Sequence, residues 1–320
     1  MWARLFLVFA AALLLSSASG KRSARTPPED MPDELEADFT MNGRVALERL
    51  FVDDTNGGKG THYGYSRQQF EALISQMATS LKQIYENILF IKSRVPDVSP
   101  SVLYRKMKKT QWVALACLGT YFDYIIKTGD VLVDNVVKDA KVAVFGSQEP
   151  WVEAMVLALG AETVTVLEYN RLDYQHEAVR TVSLEGFDSF FSDAAEIGTF
   201  DVAFSISSFD HSGLGRYNDP IDPDGDMNYG MNRAMQLLKD GGLLYLTVPI
   251  GPDKLIWNLM RVYGPVRLPV LLQGWEVVER VGWEEDRLSA QSMNVMDTYE
   301  PVFVLRKSSG GGSPLMNEEL

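Results

Sequence analysis

The stretch VAVFGSQEPWVEAMVLALGAETVTVLEYN, residues 142–170, decides the fold. Its apolar run 142–145 ends at Gly146, residues 151–159 have helical spacing, and residues 163–167 are β-branched and apolar. This succession predicts a strand, a turn, a helix and a second strand. It has the outline of a nucleotide-binding unit, although its turn contains one glycine where the usual fingerprints contain two or three.

The same alternation continues towards the C-terminus. Residues 200–206 favour a buried strand, 231–238 favour a helix, and 243–248 favour a strand after a glycine turn. Strands that alternate with helices imply βαβ units and a parallel sheet. The segments WEVVERVGW and PVFVLRK have no full helix between them and predict an antiparallel pair at one sheet edge. We therefore expect residues 139–307 to form an α/β, Rossmann-like domain.

A glycine and a glutamate follow the first two predicted strands. Glu168 comes 22 residues after Gly146. Ligands of open parallel sheets bind beyond the carboxyl ends of the strands, where a carboxylate accepts hydrogen bonds from ribose hydroxyls. The pair therefore predicts a site for an adenosine cofactor. The alternative interpretation is that Gly146 only turns the chain and that Glu168 is a solvated charge.

The charge of the turn favours one cofactor over another. A dinucleotide needs backbone N–H groups near its pyrophosphate, but Pro150 offers none and Glu149 repels phosphate. S-adenosylmethionine has no phosphate and carries a positive sulfonium and ammonium, so the turn favours it over NAD. The predicted cofactor-binding residues are Gly146, Ser147, Glu168, Tyr169, Ser207 and Ser208.

Residues 139–307 resemble the S-adenosylmethionine-dependent methyltransferase superfamily. The stretch AMQLLKDGGLLYLTVPIG is similar to the fifth-strand region of that superfamily. At finer grain the chain resembles a Caenorhabditis-type family of unknown function, in the segments FGSQEPWVEAMVLALGA, LEYN, SSFDHSGLGRYNDPIDPDGD and RVYGPVRLPVLLQGWE. The superfamily resemblance implies a seven-stranded sheet whose last strand is inserted antiparallel. The resemblance to the Caenorhabditis-type family implies a methyltransferase-like fold and supplies no reaction.

A histidine lies where a methyl group would be presented. His211 follows the fourth strand of the predicted domain, next to Asp210. Histidine can accept a proton from an attacking hydroxyl near neutral pH, and Asp210 would orient the ring. These two residues are the predicted catalytic pair. The alternative is a loop histidine that binds a backbone carbonyl.

Two charged segments leave alternatives open. The loop RYNDPIDPDGD places four aspartates between residues 219 and 226, but its spacing does not match a calcium loop. Turn formation, in which Asp-Pro and Asp-Gly are favoured, explains the loop better, and we predict no metal site. In RVYGPVRLP, Arg261 and Arg267 would hold either an acidic substrate or carboxylates of the protein itself.

The N-terminus resembles a secretory signal peptide. Arg4 precedes an apolar run at 5–15, and small residues follow up to Gly20. Eleven apolar residues are short for a membrane span, which needs roughly 20. We expect a cleaved signal at 1–20 and a secretory location, with membrane attachment only if the signal segment is retained.

The remaining segments complete the predicted organisation. Residues 21–60 are interpreted as an irregular linker with one short helix at 45–50. A helical extension follows at 61–138: apolar residues repeat at steps of three and four between Phe70 and Ile91, and a second helical stretch covers 111–127. Residues 308–320 are predicted to be a disordered tail.

Composition bounds the function. The chain has 320 residues and a net charge of −13, which argues against nucleic-acid partners because a phosphate backbone would be repelled. The leading hypothesis is methyl transfer to a hydroxyl of a small molecule or glycan. The alternatives are a catalytically silent binding or scaffold protein, and an NAD-dependent oxidoreductase.

Overall fold

The computed structural model describes most of the chain after residue 29. The described residues are 30–52, 54, 62–94, 113, 136–217, 219–289 and 298–308. Three predicted features lie outside them: the signal peptide at 1–20, the helical stretch at 111–127 apart from Val113, and the tail after residue 308.

Helices and strands alternate through the larger described part. The helices are α1 (Glu36–Phe39), α2 (Arg67–Arg94), α3 (Trp151–Ala158), α4 (Phe187–Ser192), α5 (Asn232–Leu237) and α6 (Leu268–Leu271). The strands are β1 (Ala46–Arg49), β2 (His62–Tyr65), β3 (Lys141–Phe145), β4 (Thr163–Glu168), β5 (Arg171–Tyr174), β6 (Val179–Ser183), β7 (Phe200–Ile206), β8 (Leu238–Thr247), β9 (Lys254–Trp257), β10 (Met260–Val262), β11 (Trp275–Val281) and β12 (Val302–Lys307). Short 3-10 turns lie at Asp33–Leu35, Leu184–Gly186, Phe209–His211 and Glu285–Ser289, and a π-helical turn lies at Asp226–Met231.

One seven-stranded sheet organises the domain. Its strand order is β11-β12-β8-β7-β3-β4-β6. Strands β6, β4, β3, β7 and β8 pair in parallel, whereas β12 is antiparallel to both β8 and β11. The last strand is therefore inserted between two earlier ones at the edge. This confirms the predicted Rossmann-like, mostly parallel sheet of the methyltransferase-like fold.

The sheet is buried on both faces. In β3, Val142 and Val144 contribute to one apolar cluster, while Ala143 and Phe145 contribute to the other. The sequence of such a strand is continuously apolar, because the side chains on each face of the sheet are packed against other parts of the protein. The chain leaves β3 towards β4 on one side and reaches β7 on the other. The switch point of the sheet therefore lies at the carboxyl ends of β3 and β7.

The predicted long helix is present and begins at a capping box. The Ser66 N–H donates to Gln69 Oε1 at 3.0 Å, and the Gln69 N–H donates to Ser66 Oγ at 3.4 Å. The buried face of α2 includes Phe70 and Leu81, which belong to the same apolar cluster as Val156 of α3. The predicted helical extension also contains a strand, because β2 pairs in parallel with β5.

The linker interpretation is wrong for residues 33–49. In place of a helix at 45–50, Ala46–Arg49 forms β1 and pairs in parallel with β9, from Ala46 opposite Lys254 to Arg49 opposite Trp257. Phe39 and Trp257 stack edge to face with ring centroids 5.4 Å apart. The backbone partner of this strand lies about 200 residues further along the chain, and such tertiary pairing overrides a weak local helix preference.

Among the residues that the structure describes, none of the helices has both the length and the apolar character of a membrane span.

Candidate active site

Gly146, which follows β3, lies close against Ser208, which follows β7. Gly146 has a φ of +75°, a conformation that favours glycine. A Cβ at this position would lie 2.1 Å from Ser208 Oγ and 2.6 Å from Ser208 Cβ. The structure therefore brings together two predicted cofactor residues that are 62 positions apart in the sequence. Any side chain at position 146 would displace Ser208 and the loop that follows β7, which is called the β7 loop below.

Ser147 connects the turn after β3 to the end of β4. Its N–H donates to Glu168 Oε2 at 2.8 Å. Its hydroxyl lies 3.1 Å from the Tyr174 hydroxyl, which in turn lies 3.1 Å from the carbonyl oxygen of Gln148. The glycine turn and the acidic strand end, predicted from sequence as a pair, thus share a direct hydrogen bond.

Glu168 is a buried carboxylate with acceptor capacity to spare. Its Oε1 accepts from the Asn170 N–H and from Asn170 Nδ2, each at 3.0 Å. Burial raises the pKa of Glu168, and the N–H groups of Asn170 and Ser147 offset only part of that shift. A carboxylate offers about four acceptor positions. The three hydrogen bonds from the described residues therefore leave one acceptor position on Oε2 for a further donor.

Glu153 was not predicted from the sequence as a site residue. Its carboxyl group lies near the Ser147 side chain in the turn after β3. It sits in the first turn of α3 and is fully buried. Among the described residues, neither carboxyl oxygen makes a hydrogen bond of normal geometry. Burial raises its pKa to about 7, although the nearby Ser147 side chain opposes the shift. The available signal was a single acidic residue within the apolar segment WVEAMVLAL.

Replacing Glu153 by glutamine is expected to stabilise the protein selectively at high pH. The folded-state pKa is raised, so the folded protein holds this proton while the unfolded chain releases it near 4.5. The stability due to neutral Glu153 is therefore present below pH 4.5 and lost as pH rises to about 7. That loss is about 3 kcal/mol for a shift of this size. Urea unfolding of Glu153→Gln and the parent at pH 4.5 and pH 8 measures it.

The exposed neighbour Glu149 supplies a matched control for this experiment. Glu149→Gln is expected to show the same difference from the parent at both pH values. An equally pH-independent difference for Glu153→Gln would contradict the raised pKa of the buried carboxyl.

The β7 loop begins with a strained serine. Ser207 has a φ of +53°, an uncommon conformation for a residue with a side chain. Its N–H donates to Thr247 Oγ1 at 3.0 Å, and its hydroxyl donates to Glu300 Oε1 at 3.3 Å. Thr247 Oγ1 also donates to Glu300 Oε2 at 3.4 Å. Strain of this kind costs about 1–3 kcal/mol and clusters at functional sites. The sequence did not predict these hydrogen bonds, because Thr247 and Glu300 come from distant segments.

His211 lies in a 3-10 turn with its tautomer set by the backbone. Its Nδ1 lies 2.5 Å from the Leu259 carbonyl oxygen, which can only accept, so Nδ1 carries the proton. Nε2 then has a lone pair and lies 3.4 Å from Asp210 Oδ2. Burial, together with the charge of Arg216, lowers the pKa of His211 to about 4. The ring is therefore neutral at physiological pH.

The predicted roles within the catalytic pair need one correction. Asp210 was expected to orient the ring, but the Leu259 carbonyl does so at Nδ1. Asp210 faces Nε2 instead, the nitrogen that would accept a proton. Asp210 Oδ2 is therefore placed beside the nitrogen that would become protonated if the ring accepted a proton.

Tyr169 lines the site between β4 and the loop before α4. Its ring lies 5.8 Å from the Phe187 ring. Burial raises its pKa well above the usual range, and the Asp219 carboxylate adds to the shift. The neutral phenol therefore persists at all physiological pH values and presents an apolar face beside Glu168.

The aspartate-rich loop uses its carboxylates internally. Asp219 Oδ2 accepts from the N–H groups of Gly213, Leu214 and Gly215 at 2.7, 3.0 and 3.2 Å. Asp222 accepts from the Asp224 N–H and the Asn228 amide. These contacts are those expected of turn formation. Within the part of the chain that the structure describes, no group of three or more acidic, histidine or cysteine side chains is arranged for a metal ion.

Arg261 and Arg267 pair with the protein itself. Arg267 donates to Asp226 Oδ1 at 2.6 Å and to Asp226 Oδ2 at 3.1 Å. Arg261 lies 3.8 Å from Asp226 Oδ1 and donates to the Ser212 carbonyl oxygen. Of the two interpretations left open by the sequence, the structure supports pairing with carboxylates of this chain over capture of an acidic substrate.

The donor set suits a cationic adenosine cofactor better than a dinucleotide. The buried carboxyl groups of Glu153 and Glu168 lie on either side of Ser147, and Pro150 occupies the N-cap of α3 without a side-chain cap. A pyrophosphate at this helix end would face acidic side chains and a missing N–H. S-adenosylmethionine has no phosphate and avoids both conflicts, and its hydroxyl and ammonium groups could donate to these carboxyl oxygens. The residues present therefore fit S-adenosylmethionine.

Comparisons with solved structures find chains of low sequence identity and low TM-score. The chain matches a Burkholderia thailandensis 1,6-didemethyltoxoflavin-N1-methyltransferase, solved with bound 1,6-didemethyltoxoflavin and S-adenosylhomocysteine, at 16% identity and a TM-score of 0.41, over 72% of this chain and 89% of that one. It matches the [4+2]-cyclase SpnF at 14% identity and a TM-score of 0.37, over 54% and 76% of the two chains. Values this low carry no information on the reaction, and the fold rests on the strand order above.

The search of curated protein sequences returned no significant match. The family comparison did: residues 139–307, just over half of the 320 residues, match a family along the whole predicted domain. The chain belongs to the family described as "Caenorhabditis protein of unknown function, DUF268".

Proposed function

We propose that this protein binds S-adenosylmethionine at the carboxyl edge of the sheet and methylates a hydroxyl of a small molecule or glycan. One observation carries the proposal. The Ser147 N–H donates to Glu168 Oε2 at 2.8 Å, which joins the glycine turn to the ribose-binding carboxylate at the switch point of a methyltransferase-like sheet. Ligands of such sheets bind at this place.

The proposed roles follow from position. Gly146 and Ser147 line the approach of the cofactor, and Glu168 accepts the ribose hydroxyls. Tyr169 supplies an apolar wall, while Ser207 and Ser208 close the opposite side. When bound, the cofactor supplies an electrophilic methyl group on a sulfonium.

On the acceptor side, His211 takes up the proton of the hydroxyl. Its Nε2 is the unprotonated ring nitrogen, because Nδ1 donates to the Leu259 carbonyl oxygen. Asp210 next to Nε2 stabilises the proton once it has been transferred. The ring is neutral at any pH well above its pKa of about 4, so Nε2 is available to accept a proton, and a pKa this low makes the ring a weak base.

Replacing Glu168 by alanine is expected to weaken binding of S-adenosylmethionine by about 1–3 kcal/mol, the range for hydrogen bonds to a charged partner. Isothermal titration calorimetry measures the change. Glu162→Ala, at the exposed opposite end of β4, is the matched control and should bind like the parent. The site is refuted if the parent protein does not bind S-adenosylmethionine, or if Glu168→Ala binds it equally well. Parallel titrations with NAD separate the oxidoreductase alternative.

A second candidate is a catalytically silent protein that keeps the fold. The observation that favours it is the contact between Ser208 and Gly146, which fills space beside the glycine turn. A silent protein predicts no methyl transfer to any acceptor, even with the cofactor bound. The secretory location and the glycan acceptor are proposals that rest on the sequence of residues 1–20.

A further inference from the structure

A segment outside the family domain reaches the surroundings of His211. Residues 50–52 and Asp54, defined as the N-terminal arm, run beside the end of β9. The Leu50 N–H donates to the Trp257 carbonyl at 3.0 Å. The Val52 N–H donates to Asn258 Oδ1, and Asn258 Nδ2 donates back to the Val52 carbonyl, each at 2.8 Å.

These hydrogen bonds restrain the turn that carries the hydrogen-bond acceptor of the His211 ring. Asn258 is fully buried and immediately precedes Leu259, whose carbonyl oxygen accepts from His211 Nδ1. The two-point bond to Val52 restrains the Asn258 side chain, and with it the turn between β9 and β10. The acceptor that sets the tautomer of His211 is therefore held in place by the N-terminal arm.

The same arm also binds Arg216, which packs on Tyr217, a ring that contacts His211. Arg216 Nε donates to Asp54 Oδ2 at 2.6 Å, and the Asp54 N–H donates to the Arg216 carbonyl at 3.2 Å. The Arg216 guanidinium lies 4.9 Å from the centre of the Tyr217 ring. That ring meets His211 edge to face, with centroids 5.8 Å apart.

We propose that the N-terminal arm is a positioning element for His211, acting through Asn258–Leu259 on one side and Arg216–Tyr217 on the other. The inference rests on the proposed function, because it assigns the arm to the base of that reaction. The Asp54 and Arg216 side chains are only 30% and 10% exposed, so solvent screens this ion pair less than an ordinary surface pair. Residues 139–307 alone lack the arm and would leave the ring less restrained.

The charged and polar groups around His211 come from several elements. Asp210 belongs to its own turn, Arg216 and Asp219 to the following loop, Glu300 to the segment before β12, and the Leu259 carbonyl to the β9–β10 turn. The N-terminal arm contacts two of these elements directly. A change in the arm should therefore alter the tautomer and mobility of the ring while the cofactor-binding end of the sheet stays intact.

The test is nitrogen NMR of the full chain labelled at its histidine rings, with His211 assigned by comparison with His211→Gln. In the parent we expect one tautomer of His211, protonated at Nδ1. In Asp54→Asn and in Asn258→Ala we expect a mixture of the two tautomers. The control is Glu48→Gln, which removes a carboxylate paired with Lys254 at 2.9 Å on the same segment but away from the loop at 216–217. It should match the parent.

Three results would overturn the proposal: Nε2 protonation in the parent, the parent tautomer in both Asp54→Asn and Asn258→Ala, or equal changes in Glu48→Gln. If Asn258→Ala does not fold, Asp54→Asn and Arg216→Lys decide. Once an acceptor is known, the arm variants should lower kcat by up to about 10²-fold, as small misplacements can do, with cofactor affinity unchanged. The NMR result stands without methyl transfer, so failure of the proposed reaction and failure of the arm are distinguishable.

Discussion

Asp226→Ala will lower the free energy of unfolding by about 3–5 kcal/mol, the usual cost of removing one partner from a buried ion pair. Asp226 is 1% exposed and receives hydrogen bonds from Arg267 and from the Tyr263 hydroxyl, the latter at 2.8 Å. Burial opposes ionisation, but the charges of Arg261 and Arg267 outweigh it and lower the pKa of Asp226. Removing this carboxylate leaves two buried guanidinium groups without their buried counter-charge, and Arg267 with only the exposed carboxylate of Asp224.

Urea unfolding at pH 7 measures the loss, and Asp224→Ala is the matched control. Asp224 lies two residues earlier, its side chain is 67% exposed, and it is 3.7 Å from Arg267. Exposed pairs of this kind contribute at most about 1 kcal/mol. Equal effects of the two substitutions would show that the carbonyl acceptors of Arg261, at Ser212 and Pro223, are sufficient to hold the arginines.

The fold could be predicted because its signals are local. Residues 142–145 form a strand that is apolar on both faces, and a glycine turn and a helix follow at once. Each of these features is fixed by neighbours within a few positions. The antiparallel pair of β11 and β12 was also predicted, because the intervening sequence lacks a full helix and a parallel connection needs a crossover.

The partners in the site could not be predicted, because most of them come from distant parts of the chain. Glu300 clamps Ser207 from 93 residues away, and Asn258 holds Val52 from 206 residues away. No local pattern reports such a pairing. The strand β1 was misassigned for the same reason, since its hydrogen-bond partner β9 is equally remote.

The partners of the charged residues in the loop at 219–226 could not be predicted from the sequence either. From sequence, four aspartates and two downstream arginines are compatible with a metal, an acidic ligand or internal pairing. In the structure the aspartates have different partners: Asp219 accepts hydrogen bonds from backbone N–H groups, whereas Asp226 forms an ion pair with Arg267. The folded backbone determines which carboxylate meets which donor, since Asp219 and Asp226 have different partners in the same loop.

His211→Ala should reduce turnover by about 10²–10⁴, the usual share of general acid–base catalysis. The affinity for S-adenosylmethionine should change little, because the ring contacts the Leu259 carbonyl and Asp210 and not the glycine turn. The pH profile gives an independent readout. A base must be unprotonated, and the pKa of about 4 puts the acid limb of the parent near pH 4, well below the usual value of 6.5.

The measurement needs an acceptor, which can be sought by incubating methyl-labelled cofactor and protein with an extract of small metabolites and glycans. His62→Ala is the control, since His62 is exposed on β2. Methyl transfer that persists in His211→Ala would show that orientation of donor and acceptor supplies most of the rate, as it can for a reactive sulfonium. In that case, the pairing of His211 with Leu259 and Asp210 is structural, and the base lies elsewhere or is not required.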